Sequence, residues 1–599
     1  MDSKADMFFE VSWEVCNKVG GIFTVVQSKA LQTMAHYDSY YLVGPYFLKK
    51  AFGIFEEKLA PECCKSACEQ LKSEGIECHF GTWLTKGNPN VVLIDFTNFA
   101  NKKNDIKRAL WDSFKIDSLN TQYFDFDEPV VWGWAVGRFL ESMTAAFDGK
   151  KIVAQFHEWL AASGLLYLKS KNVKIGTVFT THATTLGRTI ASTQKDLYAL
   201  LENINVGEES QKYGAGALAK HQIETAAAKV VDVFTTVSEI TGIESEKLLG
   251  RKPDVLLTNG LDLAKFPTFE EASIKHHLFK HRIRQFLFYY FFPYYSFDIN
   301  NTLVYFLAGR YEFRDKGVDV FIEALGKLNE RLKSEKSEKT IVVFFWIPGN
   351  VKAIKPDLLE SKTYFTDLKD SFDDSAQEIK NNILYLMMSK KELKKDSLFT
   401  DDFLQEVTPK ILRLARMGLP SLSTHDLYNE DSDEIINGFK SAGLFNKKED
   451  KVKVIFYPIY LTGADGLLDT SYYESMMGAD LGVFPSYYEP WGYTPLEGGA
   501  LGVSSVTTDC AGFGRYLCKT GCNKGKYPGI FVLERFGKNH EQIVESLAEI
   551  LHYYSKLDAQ ELTENKIMAQ KVASTADWKF FIENYIQAHN LAVKKVYDK

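Results

Sequence analysis

The seventeen residues from Phe484 to Ala500, reading FPSYYEPWGYTPLEGGA, constrain this chain most. Ala479 to Phe484 ahead of them is an apolar run of strand length, and from Pro495 onward the pattern is helical. Thr494 suits an N-cap, Pro495 the first helical position and Glu497 position N3. The expected unit is therefore strand, tight loop and helix, with Glu489 in the loop and Glu497 in the first turn. A helix start carries unpaired N–H groups and the positive end of the dipole, so it seats phosphate. Two carboxylates flanking that seat can hold the hydroxyls of a sugar nucleotide. The same residues also read as a capping box closed by Glu497, with Glu489 an ordinary loop carboxylate.

At 599 residues the chain exceeds one core, so two or more domains are expected. A formal net charge of −7 argues against nucleic-acid binding, and an anionic substrate must then meet a local cluster of Lys and Arg. The N-terminus lacks the basic and apolar regions of a signal peptide, and no apolar run has the length of a membrane span. Phe286 to Tyr295 is short, Tyr-rich and broken by Pro293. It reads as buried helix and strand packing, with a glycan-stacking surface as the second reading. Of the eight cysteines, Cys63, Cys64, Cys68 and Cys78 form one group, Cys510, Cys518 and Cys522 another, and Cys16 stands apart. None makes a zinc-finger spacing, so reduced thiols, a cytoplasmic location and no metal are expected.

Phe8 to Trp13 reads as the first strand, followed by Lys18-Val-Gly20-Gly21 and a helix. The glycine pair lets backbone approach a ligand at a helix start, without a G-x-G-x-x-G fingerprint. Short apolar runs alternate with helical segments at Tyr40–Val43, Val91–Ile94, Ile152–Gln155, Thr177–Thr180, Val233–Val237 and Val255–Leu257. Such runs fit strands buried on both faces of a parallel sheet. Polar residues gather after their carboxyl ends: His157 and Glu158, then His182 to Arg188, then Ser238 and Glu239, then Asn259. Ligands of open α/β sheets bind outside those ends. A boundary is placed near residue 267, with a helical connector to Asn301. A second set of strands follows at Thr302–Leu307, Thr340–Phe345, Val452–Tyr457, Ala479–Phe484, Val503–Thr507 and Gly529–Leu533. Gly309 and Gly317 permit a tight loop that brings Arg310 and Lys316 to one mouth, a clamp for a diphosphate leaving group. A solvated charged turn fits the same spacing. Between 356 and 417 lies a polar helical insertion with an apolar stripe from Phe365 to Met387, suited to packing on the domain or on another subunit. The fold class is thus α/β, two Rossmann-like domains facing a cleft. Residues 1–267 form the first and 268–577 the second, followed by a final amphipathic helix.

The Glu489 and Glu497 pair resembles the E-x7-E signature of retaining glycosyltransferases, and FPSYYEPWGYTP resembles the glycogen synthases of animals and fungi. The Lys18-x-Gly20-Gly21 loop and the segment Gly309 to Gly317 are similar to that family's donor loop and phosphate clamp. The resemblance implies that the final helix, 578–599, crosses back to the first domain, and it implies a retaining glucosyl transfer from UDP-glucose to the non-reducing 4-OH of an α-1,4-glucan. It implies no cofactor and no metal, and a homo-oligomer, tetrameric in the family, built on the insertion. A glycogenin-like primer is a further partner it implies. In this reading Arg310 and Lys316 hold the diphosphate, and Arg188 and Lys18 reach it when the cleft shuts. Glu489 lies near the transferred glucose and Glu497 at the ribose. His182 and His157 hold glucose hydroxyls, and Tyr472 stacks on uracil. Gly20, Gly21, Asn259, Trp491, Gly492, Tyr493 and Thr494 complete the substrate seat. Another UDP-sugar transferase of the same fold, or a glycan-binding scaffold without catalysis, remains as an alternative.

One departure stands out. The family's arginine-rich helix, which binds glucose 6-phosphate, has as its counterpart Asn539 to Asp577, where there is no arginine, and none occurs after Arg535. The short flanks also leave little room for phosphorylated tails. The expectation is an enzyme that glucose 6-phosphate does not switch on.

Overall fold

The computed structural model describes residues 2–193 and 195–598. Nine strands form the first sheet: β1 (Met7–Val11), β2 (Ser39–Pro45), β3 (Phe55–Glu57), β4 (Glu77–Trp83), β5 (Asn90–Asp95), β6 (Ile152–His157), β7 (Gly176–Thr181), β8 (Val233–Thr236) and β9 (Val255–Leu256). Their order is β3-β4-β5-β2-β1-β6-β7-β8-β9. The neighbours from β5 to β9 are parallel, and β1, β6 and β7 are buried at every residue, as uninterrupted apolar runs require. The edge strands β3 and β4 are antiparallel and were not legible. Such strands face water on one side, and their mixed polar and apolar residues lie in a cysteine-rich polar stretch.

The second sheet holds β10 (Thr302–Ala308), β11 (Thr340–Trp346), β14 (Val452–Phe456), β15 (Leu481–Val483), β16 (Ser504–Thr508) and β17 (Ile530–Leu533). All pairs are parallel, in the order β14-β11-β10-β15-β16-β17. A small antiparallel pair, β12 (Val351–Ile354) and β13 (His425–Leu427), stands apart. Outside Phe286 to Tyr295, every apolar run read as a strand is one.

The helices that matter below are α1 (Gly21–Met34), α2 (Glu158–Ser170), α3 (Thr185–Ser192), α4 (Gly214–Val230), α5 (Phe269–Tyr290), α6 (Val318–Ser334), α7 (Tyr493–Ala500), α8 (His540–Lys556), α9 (Ala559–Ser574) and α10 (Trp578–Tyr597). Helix α5 opens on a capping box of Thr268 and Glu271. The Phe286 to Tyr295 run is the end of this helix and the turn after it, so no strand forms there. The Tyr289 and Tyr290 hydroxyls donate to the carbonyls of Leu467 and Ser421, and the rings are buried. Helix α10 returns to the first sheet and packs on β7, β8 and α1. One core joins Val25, Val178, Trp491, Phe513 and Trp578, so the central motif and this returning helix share their packing.

The insertion is four separate helices, Pro356–Asp374, Ala376–Met388, Lys395–Leu398 and Asp401–Leu414. Its stripe is divided between two environments. Phe365 stacks on Phe288, and Phe372 meets Phe399 and Phe403 edge-on, while Met387 and Met388 are 63% and 84% exposed. Among the described residues no helix is long and apolar enough to cross a membrane, and no group of three or more His, Cys, Asp or Glu is placed to hold a metal ion.

Candidate active site

Among the parallel strands of each sheet the order reverses once, between β1 and β6 in the first and between β10 and β15 in the second. Crevices open at such reversals, outside the carboxyl ends of the strands. In the second sheet the loops leaving β10 and β15 are Gly309–Gly317 and the central motif. Gly317 has φ +69°, and a Cβ on it would overlap the Pro485 carbonyl, so only glycine lets the cation loop rest on the motif loop. That contact brings Lys316 Nζ to 2.5 Å from Glu489 Oε2, with both side chains mostly buried. Arg310 is placed differently. Its side chain is 72% exposed and pairs with Glu312 at 3.0 Å, so it stands at the rim while Lys316 stands inside. Lys316, Ser486, Glu489, Gly492 and Thr494 line a narrow cleft. Thr494 also lines an adjoining cavity of about 400 Å³ with Arg310, Trp346 and Tyr472.

The motif's helix begins two residues earlier than its residues suggest. Gly492, at φ +101°, is the N-cap of α7, which makes Thr494 the second helical residue and Pro495 the third. A positive-φ glycine turns the chain sharply enough for Tyr493 to start the helix. Glu497 therefore lies too deep for a capping box. Its Oε1 accepts a hydrogen bond from the Tyr473 hydroxyl at 2.9 Å, and burial pushes its carboxyl up to about 7. Trp491 is also displaced from its expected role. It is 3% exposed among Phe513, Tyr516 and Phe581, so its indole is core and does not line the cleft. Tyr493 donates to the Gly260 carbonyl at 3.3 Å and so links the two sheets' units. Gly512 N donates to the Glu489 carbonyl at 3.1 Å, and a Cβ there would overlap the Pro490 carbonyl. Glu489 is thus fixed at both its backbone and its carboxylate.

On the first sheet's side, the start of α1 is already occupied. Glu14 Oε2 accepts from Gly20 N at 2.6 Å and from Phe23 N at 3.0 Å. The anion seat expected at Gly20 and Gly21 is filled by the chain's own carboxylate, and Lys18 lies exposed beside it. Glu10, fully buried, pairs with Lys29 at 2.7 Å, accepts from the Tyr40 hydroxyl at 2.5 Å and meets His157 Nε2 at 2.8 Å. Burial opposes its ionisation, yet Lys29 and His157 hold the carboxyl well below the usual range. The carboxylate can only accept, so His157 carries its proton on Nε2. Its Nδ1 lies 2.9 Å from His182 Nε2, so the two rings share a hydrogen bond. Burial and the neighbouring His157 push the pKa of His182 well down, so this ring stays neutral.

The residues after β7 rest on carboxylates that sequence reading did not select. Glu158 has φ +67°, rare for a residue with a side chain, and its Oε1 accepts from the amides of His182 and Ala183 at 2.9 and 3.0 Å. Glu224 on α4 accepts from Thr185 N at 2.9 Å. Glu244 accepts from the Thr184 hydroxyl at 2.9 Å and from the Tyr488 hydroxyl of the motif at 3.1 Å. Arg188 is exposed at the next turn, within the electrostatic reach of Glu158 and Tyr488. Asn259 is buried, and its Oδ1 has no hydrogen-bond partner. Glu158 alone carried a sequence signal, its place at a strand end. Glu224 and Glu244 sit within helices whose packing no local pattern reveals.

Burial pushes Glu224 up to about 8, with Glu158 adding to it, and Glu244 up to about 7. The folded chain then holds protons that the unfolded chain loses above its ordinary carboxyl range. Stability therefore falls as pH rises through that window, levelling off above about 8, by about a few kcal/mol for Glu224. Glu224→Gln needs no proton, so its melting temperature should fall less between pH 6 and pH 9 than that of the parent. Parallel declines would show that Glu224 is ionised throughout.

Comparison with known proteins agrees with this architecture. The catalytic domain of starch synthase IV from Arabidopsis thaliana, solved with ADP and acarbose, superposes with a TM-score of 0.53 at 14% identity, covering 99% of this chain and all of that one. The shared fold is the GT-B arrangement of two Rossmann-like units. The liver glycogen [starch] synthase of Homo sapiens is 35% identical over 597 residues, 99% of this chain and 84% of the relative. The glycogen [starch] synthase of Neurospora crassa is 35% identical over 601 residues, and isoform 2 of Saccharomyces cerevisiae 35% over 627. These cover 99% and 100% of this chain, and 84% and 87% of the relatives. The family model described as glycogen synthase matches residues 10–599, and with identity of this extent along nearly the whole length, the chain belongs to the glycogen synthase family of retaining glycosyltransferases.

Proposed function

We propose that this enzyme transfers glucose from UDP-glucose to the non-reducing 4-OH of an α-1,4-glucan with retention of configuration. The observation that carries the reading is the Lys316–Glu489 pair, set where the narrow cleft joins the 400 Å³ cavity lined by Tyr472 and Thr494. Uridine occupies that cavity, in the unit formed by residues 268–577, with uracil on Tyr472 and the ribose hydroxyls on Glu497. The diphosphate meets Lys316, with Arg310 and Arg188 swinging in from the rim. Glucose lies between Glu489 and His182, whose neutral ring hydrogen-bonds a sugar hydroxyl. The glucan approaches along the unit formed by residues 1–267.

A two-step route needs an ionised carboxylate free to attack the opposite face of the sugar. Glu158 is committed to two amides, and Glu224 and Glu244 are held toward their protonated forms. Front-face displacement fits better. The bond from C1 to the phosphate oxygen breaks as the acceptor O4 bonds C1 on the same face, and the acceptor proton passes to the departing phosphate. Arg and Lys stabilise that charge without a metal.

The test is incorporation of labelled glucose across a panel of donors and acceptors. Label entering glycogen from UDP-glucose supports the reading. Transfer only to another acceptor would mark a different transferase of this fold, and no transfer would mark a scaffold. Within the site, Glu489→Gln should lose mainly turnover and Glu497→Gln mainly UDP affinity, since one faces Lys316 and the other the helix interior beside Tyr473. UDP titration of both variants checks this, and equal losses of affinity would remove the division of labour.

Two further properties belong to this reading. The exposed Met387 and Met388 make the insertion the surface for a homo-oligomer, and a glycogenin-like protein supplies the primer. Glucose 6-phosphate should leave activity unchanged. The lysines of α8 and α9 do not converge: Lys556 pairs with Glu335 at 2.5 Å, and Lys566 lies 3.6 Å from the buried Asp480, which Lys280 also holds at 2.8 Å. A sugar phosphate needs converging, unpaired cations. UDP-glucose incorporation measured with and without millimolar glucose 6-phosphate should agree, and a several-fold rise would refute this.

A further inference from the structure

Behind the motif loop lies a cavity of about 290 Å³ that no step above uses. Ser486 lines the donor cleft, whereas its neighbour Tyr487 lines this second space. The walls come from both units. Asp196 and Tyr198 belong to the segment after α3, and Arg314, Asp319 and Arg535 to the second sheet's surroundings. Tyr487 ties the two together: its hydroxyl accepts from Leu197 N at 2.5 Å and donates to Asp196 Oδ1 at 3.0 Å.

Three buried polar atoms among the lining residues lack hydrogen-bond partners: Arg535 Nε, a donor, Asp319 Oδ1, an acceptor, and the Tyr198 hydroxyl. Arg535 is 6% exposed, and its other nitrogen Nη1 donates to the Pro485 carbonyl, so the guanidinium is held in place. Buried groups of this kind nearly always have partners. Tyr198, Tyr487 and Phe536 add aromatic wall beside Cys510, His540 and Ile543. The Tyr198 ring stands edge-on to Tyr487 at 5.6 Å and lies 5.3 Å from Phe536. The charges cancel: the cations of Arg314, Arg535 and Lys538 face the carboxylates of Asp196, Glu202 and Asp319. A cavity without net charge does not select an anion. One hydroxyl can accept from Arg535 Nε and donate to Asp319, and the C–H face of a pyranose suits aromatic walls.

We propose that this cavity binds an uncharged saccharide of one or two pyranose units, at a position separate from donor and acceptor. Because its walls belong to both units, an occupant binds only in this apposition and stabilises it, as any ligand stabilises the state it recognises.

The test uses the full chain and methyl α-glucoside, followed by calorimetry. Ala199, exposed on the cavity wall, is changed to Trp to fill the mouth, and Asp319 to Asn to remove the acceptor. The parent should bind the glucoside, and both variants should bind it at least tenfold more weakly while keeping UDP affinity. Undiminished glucoside binding by Ala199→Trp, or no binding by the parent, would overturn the proposal. So would inorganic phosphate binding here, displaced by the Trp variant, in place of the glucoside. Should Asp319→Asn fail to fold, Ala199→Trp decides alone.

Discussion

Lys316→Ala is expected to lower turnover by about two to three orders of magnitude, the usual scale for a group that stabilises charge developing in a transition state. Two things place Lys316 above Arg310 in this respect. Its ammonium is largely buried, where electrostatic interactions are stronger than in water, and it already lies against Glu489. Its removal takes the cation from the diphosphate and leaves Glu489 unneutralised beside it. Arg310 starts 72% exposed and must move to take part, so Arg310→Ala should lose turnover on the same scale only if that movement occurs in every cycle. Steady-state kinetics on both variants, with circular dichroism to confirm folding, checks this. Near-normal turnover in both would remove the clamp.

Gly317→Ala should be nearly as damaging, although residue 317 touches no substrate in the proposed reaction. At φ +69° an alanine is strained, and its Cβ would overlap the Pro485 carbonyl and crowd the Arg535 guanidinium. The combined cost is about 3 kcal/mol. The functional loss is expected to exceed what stability alone explains. Relief of the clash must push the cation loop away from the motif loop and Lys316 away from Glu489, and a displacement of about 1 Å can cost a hundredfold in rate. Thermal melts paired with turnover below the melting range separate the two effects. A variant that melts lower but turns over normally would show that the loops' contact does not position Lys316.

Much of this enzyme is legible from its residues because the relevant physics is local. A run such as Thr302 to Leu307 can satisfy its backbone only in a sheet and its side chains only between two layers. Parallel strands then force the polar loop residues to one end, so His157, His182, Lys316 and Glu489 could be grouped before any coordinates. The start of α7 shows where local reading fails. Thr494 and Pro495 have the right chemistry for a cap and first turn, but the positive φ of Gly492 starts the helix earlier, and Glu497 finds Tyr473 in place of its own helix start.

The paired states are legible only in three dimensions, because they join residues far apart in the chain. Glu14 fills the helix start that Gly20 and Gly21 advertise for a ligand. Trp491 looks like a site aromatic and is core, because α10 returns to cover it. Glu224 and Glu244 look like ordinary helical carboxylates, and Glu158 like one more polar residue at a strand end. Their raised protonation comes from burial against the loop from His182 to Thr185, and burial is a property of packing that no spacing along the chain contains. Composition and pattern therefore determine two sheets and the chemical types gathered at their strand ends. Packing determines which of those groups are free to meet a substrate, because partners and dielectric surroundings are set across the fold.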